Sequence, residues 1–566
     1  MRLSLFSAVA PLVLLTACAS QMSTSAPPTK IAGAAGSSSY GQFLAGEAAL
    51  NDGRSSEAAR FFESARSPAA GDEGLVGERA FTAALLAGDV EKAAALAPTG
   101  AGASEQSQRL GKLVVAVEAL AEGKAKDART LLTGDGIAFP HKPAAALLLP
   151  WAAAGAGDVD GSLVRPQIRG DRMVDYFGQI GQAHLYERAK RYDEAETDFK
   201  AVNAANASEM AIVSYGAFLE RRGRRADALT LYQTGLSQDP ANVALKQAKA
   251  RAEAGRAPPP MPSLREGAAQ ALLAPAAQMS SAKQVQFALS YLRLALRLDP
   301  GRDVAWVMLG DIMQSSGDVE AARAAFAHPK PGSPEFGAAQ AKLAWTYQAS
   351  DDKETALKLA RAAAASGGSE ARITLAELLR SNDKWAESAE VLTSVIKESK
   401  TPDWRLLYAR GVAYERLNRW SDAEVDLLAA LKDHPDEPEL LNYLGFSWID
   451  RGQHLKEAMV MVQKAVGVNP RSGAMVDSLG WAYYRLGDYK KATEKLEQAV
   501  ELDAGDPEIN DHLGDAYWRV GRKDEATFQW QRVLTLQPDD KIRDRAKAKL
   551  ASSLGPDGPA PKIAGQ

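Results

Sequence analysis

GVAYERLNRWSDAEVDLLAALKDHP (411–435), GFSWIDRGQHLKEAMVMVQKAVGVNP (445–470), GWAYYRLGDYKKATEKLEQAVELDA (480–504) and GDAYWRVGRKDEATFQWQRVLTLQP (514–538) are four versions of one pattern. Their opening glycines, Gly411, Gly445, Gly480 and Gly514, stand 34, 35 and 34 residues apart. An aromatic follows each at the third position: Tyr414, Trp448, Tyr483 and Tyr517. An alanine comes next (Ala423, Ala458, Ala492, Ala526), then a large apolar residue (Leu427, Val462, Leu496, Trp530). Three units close on a proline, Pro435, Pro470 and Pro538, where the third has Ala504. The additional residue of the second unit falls at Gln453–His454, in the turn. Two antiparallel helices cross closely only where the contact residue is small, hence Gly and Ala. The aromatic fills the space beside the crossing, and proline ends the second helix because it cannot continue one.

The register runs upstream with fading fidelity. Ala376 with Ser388 and Leu392, Ala344 with Ala356 and Ala360, and Gly310 with Ala322 and Phe326 continue it. Ala288, Leu292, Ala295 and Pro300 mark a second helix; Gly216, Ala228, Tyr232 and Pro240 mark a full unit, and Ala183, Ala195 and Phe199 another. Near the N-terminus Gly46, Ala58, Phe62 and Ala65 fit, while Ala93, Ala128 and Trp151 mark plain helical hairpins. About twelve to fourteen units are expected, a periodicity that signals stacked repeats. The cluster Pro258-Pro259-Pro260 with Pro262 predicts a linker over 251–265. It would divide a degenerate solenoid at 40–250 from a cleaner one at 266–552. The last helix, Lys541 to Leu550, is expected to cap the array with a charged outer side, before a disordered tail at 553–566.

This pattern resembles the tetratricopeptide repeat. The resemblance implies an all-α fold: a right-handed α-solenoid of antiparallel hairpins, with a concave face lined by the first helix of each. Composition agrees with an all-helical chain, since its apolar excess lies in alanine, the strongest helix former. A balance of 67 Lys+Arg against 71 Asp+Glu, net charge -4, lacks the basic excess of a nucleic-acid binder.

Cys18 is the one cysteine in 566 residues, which excludes an intrachain disulfide framework. It follows a positive start, Met1-Arg2, and an apolar run from Leu3 to Leu15, shorter than the roughly 20 residues a bilayer span needs. That reads as a signal peptide over 1–17. Leu15-Thr16-Ala17-Cys18 resembles the lipobox of bacterial lipoproteins, in which the cysteine is acylated. The resemblance implies a lipid anchor at Cys18, and two acyl chains anchor stably. Residues 18–39, rich in Ser, Ala, Gly and Pro, read as a flexible tether. By resemblance to enteric sorting rules, Ala19 in place of Asp favours the outer membrane, facing the periplasm.

Carried onto this sequence, the repeat family's groove positions are Asn442, Tyr443 and Phe446, then Asp477, Ser478, Trp481 and Tyr484, then Asp511, His512, Asp515 and Trp518. Aromatics flanked by carboxylates suit an extended peptide or a helix with apolar and basic side chains. The alternative is that these aromatics pack against the next hairpin. Six scattered histidines show no metal-ligand spacing, and no Walker, GxSxG or GxGxxG motif occurs. Ser280-Ser281-Ala282-Lys283 and Ser394-Val395-Ile396-Lys397 match SxxK but lie in repeat helices without companion motifs. Asp158-Val159-Asp160-Gly161 reads as a turn and not a calcium loop. Arg221-Arg222-Gly223-Arg224-Arg225 reads as a solvated turn, the alternative being a contact with anionic glycan or lipid. No catalytic residue, metal or cofactor is assigned.

The ordered body resembles the long tetratricopeptide-repeat lipoproteins of Gram-negative bacteria, most closely over Leu441–Asp539. Some of these are adaptors that recruit a carboxyl-terminal processing protease to cell-wall hydrolases, and the resemblance implies such a role here. The alternatives are an assembly factor, pilotin-like, for a pilus or secretin, and a cell-wall hydrolase using Ser280 or Ser394.

Overall fold

The computed structural model describes residues 38–66, 74–99, 102–365, 368–399 and 402–552. Cys18, the signal peptide, the tether up to residue 37 and the tail at 553–566 lie outside them. Every regular element among the described residues is an α-helix: fourteen antiparallel hairpins and two single helices, Val243–Glu253 and Asp540–Ser552.

Each hairpin turns through a residue in the left-handed region. Glycine takes that place in most, as at Gly487 (φ 83°) and Gly521 (φ 87°), while Asn418, Asp351, Asp383, Lys190 and Lys283 hold it elsewhere. The crossing positions behave as their sizes require. A Cβ on Gly216 would lie 2.2 Å from the Tyr232 ring, and one on Gly514 2.5 Å from Trp530. Both rings are buried, and the glycine is the space they occupy.

The chain divides after Thr374 into two compact units. In the first, hairpins succeed one another from Ser39 to Gln238, followed by the single helix Val243–Glu253. Extended chain then leads to the hairpin Leu264–Ser281/Val285–Leu298, which returns onto earlier helices instead of continuing the row. Its first helix packs on Lys142–Gly155 and Arg172–Arg188, and its second on Leu75–Ala87 and Glu105–Ala121. One apolar core therefore runs through both sides of the crossing, from Phe81 and Val117 to Leu292 and Leu309.

Polar contacts fix the register of that return. Arg297 Nε donates to Glu118 Oε2 at 2.8 Å, and Arg293 Nε donates to Leu86 O at 2.9 Å. His141 Nδ1 and Tyr291 Oη share a buried hydrogen bond of 2.7 Å. Arg221 donates to Pro259 O at 2.9 Å and Arg188 to Pro262 O, pinning the proline segment. The proline segment is thus a clamped crossover inside the first unit, which ends at Thr374. Proline keeps the segment extended and its carbonyls available as acceptors, and arginines from two neighbouring helices use them.

In the second unit the hairpins Trp404–Arg416/Trp420–Asp433, Pro438–Arg451/Leu455–Val468, Gly473–Arg485/Tyr489–Leu502 and Pro507–Arg519/Lys523–Thr535 follow in order, closed by Asp540–Ser552. The repeated aromatic does more than fill space. Trp448 Nε1 donates to Glu424 at 2.5 Å and Tyr517 Oη to Glu497 at 2.9 Å, each reaching the second helix of the preceding hairpin. An apolar body with a polar tip suits a joint that is dry on one side and wet on the other.

Candidate partner-binding groove

The eleven groove positions sit on the first helices of three successive hairpins, at spacings that keep them on one helical face. Asn442, Tyr443 and Phe446 are half-buried, as are Trp481, Tyr484 and Trp518. Tyr443 meets Tyr408 edge-on, ring centroids 5.4 Å apart. Burial raises its hydroxyl pKa, so the phenol stays neutral. The Asn442 Oδ1 and Trp481 Nε1 atoms are buried without a hydrogen-bond partner.

Trp481 is stacked on both faces, by Tyr484 at 4.6 Å and by His512 at 4.1 Å. Its ring is a packing element between two hairpins, the alternative the sequence had left open. Tyr484 Oη accepts from Arg519 Nε at 3.3 Å, and Trp518 lies 5.6 Å from Trp530 with the Lys523 ammonium 5.1 Å from its ring. Ser478 is buried and donates to Ala474 O at 2.9 Å within its own helix.

The carboxylates depart from expectation. Asp477, Asp511 and Asp515 are buried, 5%, 0% and 6% exposed, and each is neutralised inside the fold. His512 Nδ1 lies 3.0 Å from both oxygens of Asp477. Burial by itself would lower the His512 pKa, but the Asp477 carboxylate outweighs it and raises the group to about 9. Lys549 Nζ donates to Asp511 at 2.8 and 2.9 Å and pairs with Asp515 at 2.6 Å. Arg545 Nε stands 2.6 Å from Asp511, and Trp530 Nε1 donates to Asp515 at 3.1 Å.

These acids are therefore not a rim free to meet a basic ligand. The reason is positional: each first helix abuts the next, and the next supplies the cation. Sequence reasoning missed Lys549 and Arg545, having read the last helix for its outer side only. A signal existed, because Asp477–His512 and Asp511–Lys549 are pairs at about one repeat's spacing.

Other singled-out residues have local explanations. Asp158 caps Val159–Ser162 by accepting from Gly161 N at 2.9 Å and pairs with Arg129. The arginine run is tied down: Arg221 to Glu187 at 2.7 Å, Arg224 to Glu196 at 2.8 Å, and Arg222 3.8 Å from the Tyr192 ring. Ser280 lies near the end of its helix with Lys283 in the turn, both exposed. Among the described residues no group of three His, Cys, Asp or Glu is placed to hold a metal ion.

Family profiles described as tetratricopeptide repeat match residues 373–438 and 408–458, and one described as TPR repeat matches 480–521. A TPR repeat-containing protein of Pseudomonas aeruginosa is 34% identical over 124 residues, 22% of this chain and 21% of that protein. The match thus spans about a fifth of that relative's length. Among solved structures, a thermophilic TPR protein of Thermus thermophilus is 24% identical with a TM-score of 0.30, over 32% of this chain and 100% of that one. A Cut9–Hcn1 hetero-tetramer of the APC/C is 15% identical with a TM-score of 0.38, over 91% and 96%.

Proposed function

We propose that this tetratricopeptide-repeat protein is a non-catalytic adaptor of the cell envelope, moored by an acylated Cys18 and holding protein partners along the first helices of its C-terminal hairpins. The observation that carries the reading is the half-buried aromatic set Tyr443, Phe446, Tyr484 and Trp518 on consecutive first helices. Rigid, partly exposed Tyr and Trp supply much of the binding energy at protein interfaces. While His512 pairs Asp477 and the last helix pairs Asp511 and Asp515, an aromatic and apolar contact is favoured over recognition of basic groups along this stretch. The lipoprotein resemblance supplies the location and the client class, a carboxyl-terminal processing protease and the cell-wall hydrolases it would be brought to.

Affinity purification from detergent-solubilised envelopes tests the groove. The protease and hydrolases are expected to elute with wild type and to be lost with Tyr443→Ala/Phe446→Ala, while helicity by circular dichroism is kept. Full retention of partners by that variant overturns the groove, and pilus or secretin subunits in the eluate would replace the client class. For the anchor, Cys18→Ser is expected to abolish labelling by radioactive palmitate and to move the protein from the membrane pellet to the supernatant. An unlabelled wild type overturns the lipid anchor.

A further inference from the structure

The last helix, Asp540–Ser552, buries little of its own surface. Of its 13 residues only Ala546 and Lys549 are buried, with Leu550 resting against the core. Its grip is ionic: Lys549 lies between Asp511 and Asp515, and Arg545, one turn earlier, meets Asp511. The Arg545 and Lys549 side chains share one face because they are four residues apart, and Ala546 between them lets the helix approach closely. The chain enters this helix through a short segment in which Gln537, not a glycine, has φ 53°. The pocket beneath is made by the hairpin and not by the helix: Asp511, Asp515 and Trp530 belong to Pro507–Arg519 and Lys523–Thr535.

We propose that the Asp511/Asp515 pocket is a docking site for a protein helix carrying arginine and lysine four residues apart, and that the chain's own last helix occupies it as a displaceable lid. The inference rests on the protein-binding reading above and adds to it a partner chemistry and a competitor. Three properties make the helix a lid and not a fixed end. Little apolar surface ties it down, its connection to the preceding helix is short, and a 13-residue helix is marginal alone. Tethered at an effective concentration of about millimolar, it excludes weak ligands and yields to a partner with the same charge pair and more apolar contact.

The test uses the full chain and, as probe, a fluorescent peptide of residues 540–552. The Lys549→Met protein is expected to bind this peptide, wild type to bind it about 100-fold more weakly because the tethered lid competes, and adding Asp515→Asn to abolish binding. A peptide with its own lysine changed to methionine is expected to lose binding at least about tenfold. No binding of the probe to folded Lys549→Met protein overturns the proposal. Hydrogen exchange on wild type gives a check that needs no variant. Lid amides are expected to exchange at least about tenfold faster than those of Lys523–Thr535. Exchange of both helices at one common rate overturns it. Neither failure touches partner capture through Tyr443 and Phe446, which lie on an earlier hairpin.

Discussion

Replacing Trp151 by alanine is expected to destabilise the N-terminal unit by about 3–5 kcal/mol. Few single changes elsewhere in the chain should match it. Trp151 is 3% exposed and lies where three helices meet: its own, Lys142–Gly155, then Arg172–Arg188 and Leu264–Ser281. A Cβ on Gly267 would fall 2.2 Å from its ring and one on Gly181 3.4 Å from its Nε1. The helix Leu264–Ser281 has given up a side chain at Gly267 to accommodate the indole, and Gly181 lies at ordinary contact distance on the other helix. Backbones so placed cannot close over the void, so the lost transfer energy and the cavity cost add. The effect should be directional. Hydrogen exchange across 264–298 should accelerate most, because that hairpin's place depends on the contact, whereas Glu209–Arg221 keeps its own neighbours. Urea denaturation gives the magnitude. A loss below about 1 kcal/mol would mean that the returning hairpin is held by something other than Trp151.

The second large effect is a pH dependence of the C-terminal unit. His512 has a folded pKa of about 9 against an ordinary 6.5. The sign follows from linkage: the native state holds the proton more tightly, so the contribution is complete below pH 6.5 and is lost as pH rises through about 9. The size is about 3 kcal/mol between those limits. Calorimetry from pH 6 to 9.5 is expected to show the C-terminal transition moving down, with a flat profile for His512→Gln over the same window. Equal slopes for the two proteins would show that His512 titrates near its ordinary value and that Asp477 is not its ionic partner. The charged groups around the imidazole, Asp477, Glu508 and Asp511, all favour its protonated form.

What the sequence by itself determined is whatever a hairpin and its nearest neighbour decide between them. The glycine at a crossing, the residue that fills the glycine's space and the alanine beside it are set within one repeat. Gly216 with Tyr232 and Gly514 with Trp530 could be paired from spacing because both members lie in a single hairpin. The same locality made the all-helical fold legible, along with the turns at Gly487 and Gly521.

Two matters were decided only by the tertiary structure. One is the return of Leu264–Leu298 onto the first arm, joined by Glu118 and Arg297, 179 residues apart. A proline run marks an extended segment, but nothing in its composition states whether the chain beyond it departs or comes back, because that depends on apolar faces far away in sequence. The other is the fate of the groove acids. A carboxylate on the inner face of a repeat reads the same whether water or a lysine from the last helix stands opposite. Burial of Asp511 and Asp515 follows from how closely neighbouring first helices approach, and that distance is a property of the stack, not of any one repeat.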